Sequence, residues 1–447
     1  DARPITRWPD RDDAFEDVVR EVSRAIKALP IHKSKEEWLA EGQAHYKANR
    51  FDEAIVAFSN AIKRDASYAL AYQHRGEASY RLTNFSEALS DFEQATNLDP
   101  MLIRAYTWKG DALTGMNESR KAIMAYAEAL TVAEKTPPDQ QDAGFSFYRG
   151  DALLGLKIYA EAMVDYEQAI RMDKHYSIAF KGQGAVLYYL KRYDEAVHMN
   201  EQVHQLDPDD AIAYSNKGYA LKELKRYDEA LAAFDRAIQL DPHLTFAYNG
   251  KGLVLSDLKR YDEALAAFDL SLRLDPNYSS SYTCKSTIFN NQQRHDEALA
   301  ACKRAIQLDP NDSSAHNNMG YALHAMQRYN EAVAAFDLAI RLSPDATNAL
   351  VGKGDTLFML ARYEEAAAAF EQAIRPDSLD AYAHNGRGSA LRNLKRYKEA
   401  LTEFEQAIRL DPAFIDAYNG KGNVLKELGR NDEAQQAFAK ARQLGLQ

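Results

Sequence analysis

Glycine and alanine recur along this chain on a fixed spacing. Gly42, Gly76 and Gly110 stand 34 residues apart, as do Gly150, Gly184, Gly218 and Gly252, and then Gly320, Gly354, Gly388 and Gly422. Gly110 and Gly150 are 40 apart, which marks six inserted residues. Gly252 and Gly320 are 68 apart, twice the period, and Ser286 fills the missing rung. Twelve repeats result. Alanine stands 12 residues after every rung, from Ala54 to Ala434, and four further on the residue is usually aromatic, as in Phe58, Tyr126, Tyr166, Phe234 and Phe404. Three beyond that comes a small residue such as Ala61, Ala237 or Ala407. Offsets of 0, 4 and 7 are one face of an α-helix.

The pattern predicts two helices per repeat. Glycine inside a helix costs about 1 kcal/mol against alanine, so eleven rung glycines imply that a partner helix approaches closely. A "YDEA" string opens the second helix with acidic residues where the helix dipole favours them. "LDP" closes it, with the proline expected at or near the start of the next helix. The predicted repeats are 35–68, 69–102, 103–142 with the insertion, 143–176, 177–210, 211–244, 245–278, 279–312, 313–346, 347–380, 381–414 and 415–447. Residues 1–34 stand apart. Among them, "DDAFEDVVREVSRAIKAL" at 12–29 reads as an amphipathic helix through Phe15, Val18, Val19, Val22, Ile26 and Leu29, ended by Pro30.

Irregular repeats locate ends and joints. In repeat 12, Gln435 and Arg442 replace the apolar residues seen at Leu231 and Ile238, as expected of a stack that caps itself. Repeat 5 carries Asn200 in place of the aromatic and His204 in place of isoleucine, which reads as a softer joint. His198, His204 and His175 do not make a metal site, because a spacing of six does not share a helical face. Repeat 8 has neither rung glycine nor aromatic. The insertion "EKTPPDQQDAG" reads as a lengthened helix and a loop, and as a break between repeats 1–3 and 4–12.

Composition narrows the function. The 447 residues are 46% hydrophobic and carry a net charge of −11. That balance argues against nucleic-acid and anionic-membrane partners, which need clustered Lys and Arg. No run reaches the roughly 18 apolar residues of a membrane span. Cys284 and Cys302 are too few for a disulfide framework or a zinc site and read as reduced cytoplasmic cysteines. "NGKG" at 249–252 and 419–422 and "NGRG" at 385–388 follow no strand, so they are helix packing and not phosphate loops. "RGD" at 149–151 is likewise helical. No catalytic or metal-ligand motif is present, so no cofactor is expected and the chain reads as a non-enzyme.

The 34-residue period, with Tyr214, Lys217, Gly218, Leu221, Ala230, Phe234, Ala237 and Pro242 as one complete instance, resembles the tetratricopeptide repeat (TPR) family. The resemblance covers 35–447. It implies an all-α, right-handed superhelical solenoid of helical hairpins, preceded here by an N-terminal amphipathic helix. Such stacks are held by contacts between neighbouring repeats. It also implies a concave groove lined by the first helices, reached by residues three and two before the glycine and one, four and five after it. On that surface repeats 2–5 bring Glu77, Trp108, Asp111, Phe147, Tyr148, Asp151 and Tyr189, an acidic and aromatic zone suited to a basic or aromatic anchor. Repeats 6–12 bring Asn216, Asn249, Asn317, Asn318, Asn385 and Asn419, amides able to pair with an extended peptide backbone. The plainer alternative is that Asn and Asp are frequent at these positions in the family. Lys181 followed by Asn216 is a fragment of the carboxylate clamp of co-chaperone TPR domains, but Ala185 stands where the clamp needs Asn.

Residues 1–30 resemble the C-terminal end of bacterial Toll/interleukin-receptor (TIR) domains, through Pro4, Ile5, Thr6, Trp8, Pro9, Asp12, Asp13, Ala14, Phe15, Val18 and Ile26. The stretch reads as the last strand, turn and helix of an upstream domain, with an N-terminal cap for the stack as the alternative. Such domains cleave NAD or signal by assembling. The expectation is therefore a cytoplasmic protein- or peptide-binding scaffold able to self-associate, the sensor or assembly part of a bacterial TIR–TPR signalling or defence protein. The alternatives are part of an NAD-hydrolysing enzyme with its catalytic domain upstream, and a stand-alone scaffold or co-chaperone.

Overall fold

Every repeat contributes two helices. The structure, a computed structural model, describes residues 33–374 and 380–445. Among these residues all regular structure is helical, twenty-four α-helices and one 3-10 turn. The amphipathic stretch at 12–29 and the TIR-like ending lie outside the described residues.

The chain divides into two compact units between Leu190 and Lys191. The first holds α1 (Lys35–Lys47), α2 (Phe51–Arg64), α3 (Ala69–Arg81), α4 (Phe85–Leu98), α5 (Ile103–Gly115), α6 (Ser119–Lys135), α7 (Ala143–Gly155), α8 (Tyr159–Met172) and α9 (Ser177–Tyr189). The second holds α10 (Tyr193–Leu206), α11 (Ala211–Glu223), α12 (Tyr227–Leu240), α13 (Thr245–Asp257), α14 (Tyr261–Leu274), α15 (Ser279–Asn291), α16 (His295–Leu308) and α17 (Ser313–Ala325). It continues with α18 (Tyr329–Leu342), α19 (Thr347–Met359), α20 (Tyr363–Ala373), α21 (Ala381–Asn393), α22 (Tyr397–Leu410), α23 (Ile415–Glu427) and α24 (Asn431–Gly445). The division falls inside repeat 5, between its two helices, and not at the insertion where the sequence suggested a break.

The core of most repeats is the aromatic ring of the second helix. Phe58, Phe92, Tyr166, Phe234, Phe268, Phe336, Phe370 and Phe404 are all fully buried or nearly so. The rung glycine lies directly under the ring. A methyl group on Gly218 would come within 2.9 Å of Phe234, and one on Gly252 within 2.6 Å of Phe268. In several repeats a further glycine, two residues before the rung, covers the other side of the preceding repeat's ring. A methyl on Gly352 would meet Phe336 of the preceding repeat at 2.5 Å, and one on Gly386 would meet Phe370 at 2.5 Å. Repeat 8 shows the converse. Its aromatic is replaced by the smaller Cys302, and the rung accommodates Ser286, fully buried with its hydroxyl donating to the Thr283 carbonyl at 2.7 Å.

The turns follow one rule. Each first helix ends in a residue with left-handed backbone, from Asn49 (φ 56°) and Thr83 (φ 61°) through Lys395 (φ 61°) to Gly429 (φ 75°). The following amides close the helix, as where the Asn84 N–H donates to the Ser79 carbonyl at 3.0 Å. After the second helix, the aspartate of "LDP" caps the turn; Asp241 Oδ1 accepts from the His243 N–H at 2.9 Å. Pro242 lies in that turn, three residues before α13 begins, and not in the helix itself. The acidic start of the second helix has a further role in the second unit. Eight Arg residues, Arg192 to Arg430, each fork onto the Glu three residues later, as Arg226 does onto Glu229 at 2.7 Å. These pairs are exposed and add little to stability.

Thr83 is the β-branched member of the left-handed series. Replacing it with glycine relieves a conformation that costs a branched residue roughly 1–2 kcal/mol. Thr83→Gly should therefore raise the urea midpoint of the protein, by an amount equivalent to about 1 kcal/mol, whereas Gly429→Thr should lower it similarly. An unchanged midpoint in both variants would contradict the strain assigned to this turn.

Candidate functional site

The candidate residues sit on the first helices, and the structure assigns most of their polar groups to partners within the protein. In the first unit, Glu77 on α3 is 1% exposed. It accepts from Gln73 Nε2 at 3.1 Å and Arg104 Nη2 at 2.5 Å, with His74 Nδ1 at 3.3 Å. Burial opposes its ionisation, but His74 and Arg104 outweigh it and hold the carboxyl below its usual range. Glu77 is thus an ionised group already matched by a cation. Arg104 carries that cation from the next repeat and lies over the Tyr148 ring at 5.1 Å.

Asp111 and Asp151 obey a different rule. Only repeats 3 and 4 carry tyrosine instead of phenylalanine in the core position, and only there does the hydroxyl emerge between the two helices. Tyr126 donates to Asp111 at 2.6 Å and Tyr166 donates to Asp151 at 2.6 Å. Desolvation pushes Asp111 up to about 6, against the Tyr126 hydrogen bond. Desolvation pushes Asp151 up to about 8; the Tyr166 bond and Lys181 oppose this, and the Asp111 charge adds to it. At neutral pH Asp151 is therefore largely uncharged, while Asp111 keeps most of its charge.

The aromatic members pack in local groups. Trp108 meets Tyr80 edge-on at 5.0 Å and stacks over Phe92 at 6.4 Å, with its indole Nε1 buried and without a hydrogen-bond partner among the described residues. Phe147 meets Tyr148, Tyr166 and Tyr176 at 5.0–5.8 Å. Tyr189 stacks on Tyr159 at 5.7 Å and remains 58% exposed. Trp108, Tyr148, Glu77 and Asp111 are brought onto neighbouring helices of one unit; Tyr189 lies at its last helix.

In the second unit the asparagines divide. Asn249 is 2% exposed, and its Nδ2 donates to Ser281 of the next repeat at 3.1 Å. It fastens two repeats and faces no open surface. Asn318 donates to Ser286 Oγ at 2.9 Å and Thr287 Oγ1 at 2.8 Å, back across the preceding interface. Asn317 and Asn385 differ: each is half-buried, with an Oδ1 that is buried and has no hydrogen-bond partner among the described residues. Asn216 and Asn419 are half-buried.

Sequence reasoning overlooked Arg104, Asp355, Tyr321 and Tyr382. Asp355 follows its rung glycine as Asp111 and Asp151 do, and accepts from Tyr382 of the next repeat at 3.1 Å; desolvation pushes it up to about 6, with the Tyr382 bond opposing. Tyr219 and Tyr321 occupy the same offset and donate to the carbonyls of Phe246 and Asn348 at 2.7 Å. The position after the glycine is therefore chiefly a fastener. Among the described residues there is no group of three or more His, Cys, Asp or Glu placed to hold a metal, and no helix is long and apolar enough to cross a membrane. Cys284 and Cys302 are free thiols that burial pushes up to about 11.

Comparison with known proteins gives a consistent family. Models described as tetratricopeptide repeat match residues 39–100, 109–177, 211–278, 313–346, 351–415 and 403–436, and one described as TPR repeat matches 287–327. No curated protein sequence matches the chain. Among solved structures, Cut9 with Hcn1 from an APC/C hetero-tetramer is similar at 12% identity, 92% of this chain, 94% of that chain and a TM-score of 0.48. Yeast Tom70 is similar at 16% identity, 92% of each chain and a TM-score of 0.40. MamA from Desulfovibrio magneticus RS-1 is similar at 24% identity, 37% of this chain, 94% of that chain and a TM-score of 0.35.

The raised carboxyls fix a pH dependence. Below about pH 4 Asp151 is protonated in both folded and unfolded chains and costs nothing. Between about 4 and 8 the unfolded chain ionises while the folded one does not, so stability falls as pH rises, and above about 8 the loss is complete. Asp151→Asn keeps an acceptor for Tyr166 and removes the titration. It should be more stable than the parent by about 1–3 kcal/mol at pH 8.5 and no more stable at pH 4. Guanidinium unfolding at both pH values checks this; an equal difference at both would contradict it.

Proposed function

We propose that this chain, which belongs to the tetratricopeptide repeat family, is a non-catalytic scaffold that captures a protein or peptide partner on its first-helix surface. The observation that carries the reading is the pair of buried, unpaired amide oxygens of Asn317 and Asn385. They stand at the same offset from their glycines, and each needs a donor. A buried acceptor without one costs about 1–3 kcal/mol, and the backbone N–H groups of an extended segment supply such donors at intervals. Trp108, with a free indole N–H, would receive an acceptor and an apolar or cationic anchor in the first unit. Glu77 and Asn249, whose groups are engaged, support the surface without touching the partner.

The finer reading, a bacterial TIR–TPR signalling or defence protein acting in the cytoplasm, rests on the match of residues 1–30 to the end of a TIR domain. In it this chain senses a partner or its own copies, and NAD hydrolysis resides upstream. A longer protein carrying the upstream sequence should consume NAD when its partner is added. Absence of a five-stranded α/β pattern with a pocket Glu upstream would end that reading and leave the scaffold assignment standing.

For the scaffold, the chain is immobilised and exposed to a lysate of its native cell, and captured proteins are identified by mass spectrometry. Asn317→Ala with Asn385→Ala, and separately Trp108→Ala with Asp111→Lys, should each reduce the principal captured protein at least about tenfold while the helical circular dichroism persists, as expected of central contacts. Capture equal to the parent in both double variants would remove the first-helix surface as the site.

A further inference from the structure

The insertion after repeat 3 shapes the opposite side of the first unit. α6 runs 17 residues where α4 and α8 run 14, a lengthening of about 4.5 Å. The chain then turns through a 3-10 segment at Pro138–Gln140, where the Gln140 N–H donates to the Pro137 carbonyl at 3.0 Å, before Asp142 caps α7. Between α6, α7 and α8 lies a cleft of about 550 Å³. Across Arg149, Val164 and Asp165 it continues into a second of about 420 Å³ bounded by Pro138, Gln141 and Met172.

The lining has a definite chemistry. Leu130, Ala133, Leu153, Ala160 and Val164 make the apolar wall. Arg149 donates through Nε to Asp165 Oδ2 at 2.7 Å, with a second bond through Nη2 to Oδ1, so these two charges cancel. Glu134 and Glu161 also line the cleft, exposed and without an ion-pair partner among the described residues. Arg171, which lines the second cleft, pairs with Glu167 at 3.7 Å, so the first cleft presents an apolar floor with the carboxylates of Glu134 and Glu161 on its rim.

The outer surface around it is more apolar than the fold requires. Fourteen residues after the rung, on the helices beside the cleft, stand Met124 (64% exposed) and Val164 (56%), with Val56 and Ser90 at the same offset in repeats 1 and 2. In the second unit the same outward position is alanine in five of eight repeats, Ala232, Ala266, Ala300, Ala334 and Ala368, all exposed, and polar in the others, His198, Thr402 and Gln436. A position that packs nothing is satisfied by alanine, so the larger residues serve contacts outside the repeat stack.

We propose that this cleft docks a basic amphipathic segment of a partner protein, one or two helical turns whose aliphatic side chains enter between α6 and α8 while flanking Lys or Arg reach Glu134 and Glu161. Charge selects this occupant. A second copy of the chain, at net −11, and an anionic membrane both oppose the rim. The site lies between α6, α7 and α8 and uses none of the residues assigned to the first-helix surface, so either assignment can fail without the other.

The probe is a capped, fluorescein-labelled peptide with leucines at i, i+3, i+4 and i+7 and two lysines at each end, compared with the same peptide bearing glutamates. Fluorescence anisotropy with the full chain should give saturable binding of the lysine peptide and at least tenfold weaker binding of the glutamate peptide. Val164→Asp and, separately, Glu161→Lys, both at exposed positions, should each weaken the lysine peptide at least tenfold with unchanged circular dichroism. Equal binding of the two peptides, insensitivity to both substitutions, the absence of saturable binding, or binding of phosphatidylserine vesicles in preference to the peptide would each overturn the proposal.

Discussion

One contact governs this molecule: an aromatic ring from the second helix of a repeat pressed onto a first-helix backbone that has no side chain in the way. Phe336 lies between Gly320 of its own repeat and Gly352 of the next, where added methyl groups would come within 2.6 Å and 2.5 Å of it. No carbon sits that close without displacement, so both glycines follow from the ring. The rung glycine recurs with the ring, while across the joint glycine alternates with larger residues, as where Phe58 stacks on His74 and Phe92 on Trp108. Repeat 5 shows what remains when the ring is lost. Asn200 takes its place, 1% exposed, donating to the Ala196 carbonyl at 2.8 Å but leaving Oδ1 unpaired, and Asn216 stands where the second glycine would be.

Close helix approach decides what the first-helix surface can offer a partner. Residues next to the rung glycine lie at a joint, where an unpaired buried polar group costs about 1–3 kcal/mol. Most are therefore paired internally: Glu77 with Arg104, Asp111 with Tyr126, Asp151 with Tyr166, Tyr321 with the Asn348 carbonyl. The acidic character read from composition is muted, because one carboxylate is neutralised by an arginine and two others are pushed toward their neutral forms. What is left for recognition is a small set of unpaired groups, and these carry the functional proposal.

The fold was legible because its cause is periodic. Glycine, alanine and aromatic offsets recur along twelve repeats, so the two helices of each repeat and the packing role of the glycines in the "NGKG" strings could be read directly. The Asp–Tyr pairs were legible as well, had the position after glycine been compared with the core aromatic, since tyrosine occupies the core position only in repeats 3 and 4. Other features depend on a particular neighbour. Asn249 is buried because Ser281 accepts its amide, whereas Asn385 at the same offset keeps an unpaired oxygen. Arg104 is one arginine in a non-repeating position, and nothing in the period points it toward Glu77. The proline of "LDP" was misplaced by three residues because the aspartate before it forms a turn of its own.

The central claim is that ring and glycine are one interaction, and a double-mutant cycle between Gly352→Ala and Phe336→Leu measures it directly. Overpacking by Gly352→Ala alone should cost about 1–3 kcal/mol in guanidinium unfolding, and Phe336→Leu alone should cost a comparable amount. The account predicts that the pair together costs less than the sum by at least about 1 kcal/mol, because leucine vacates the space the new methyl needs. Strict additivity would contradict it.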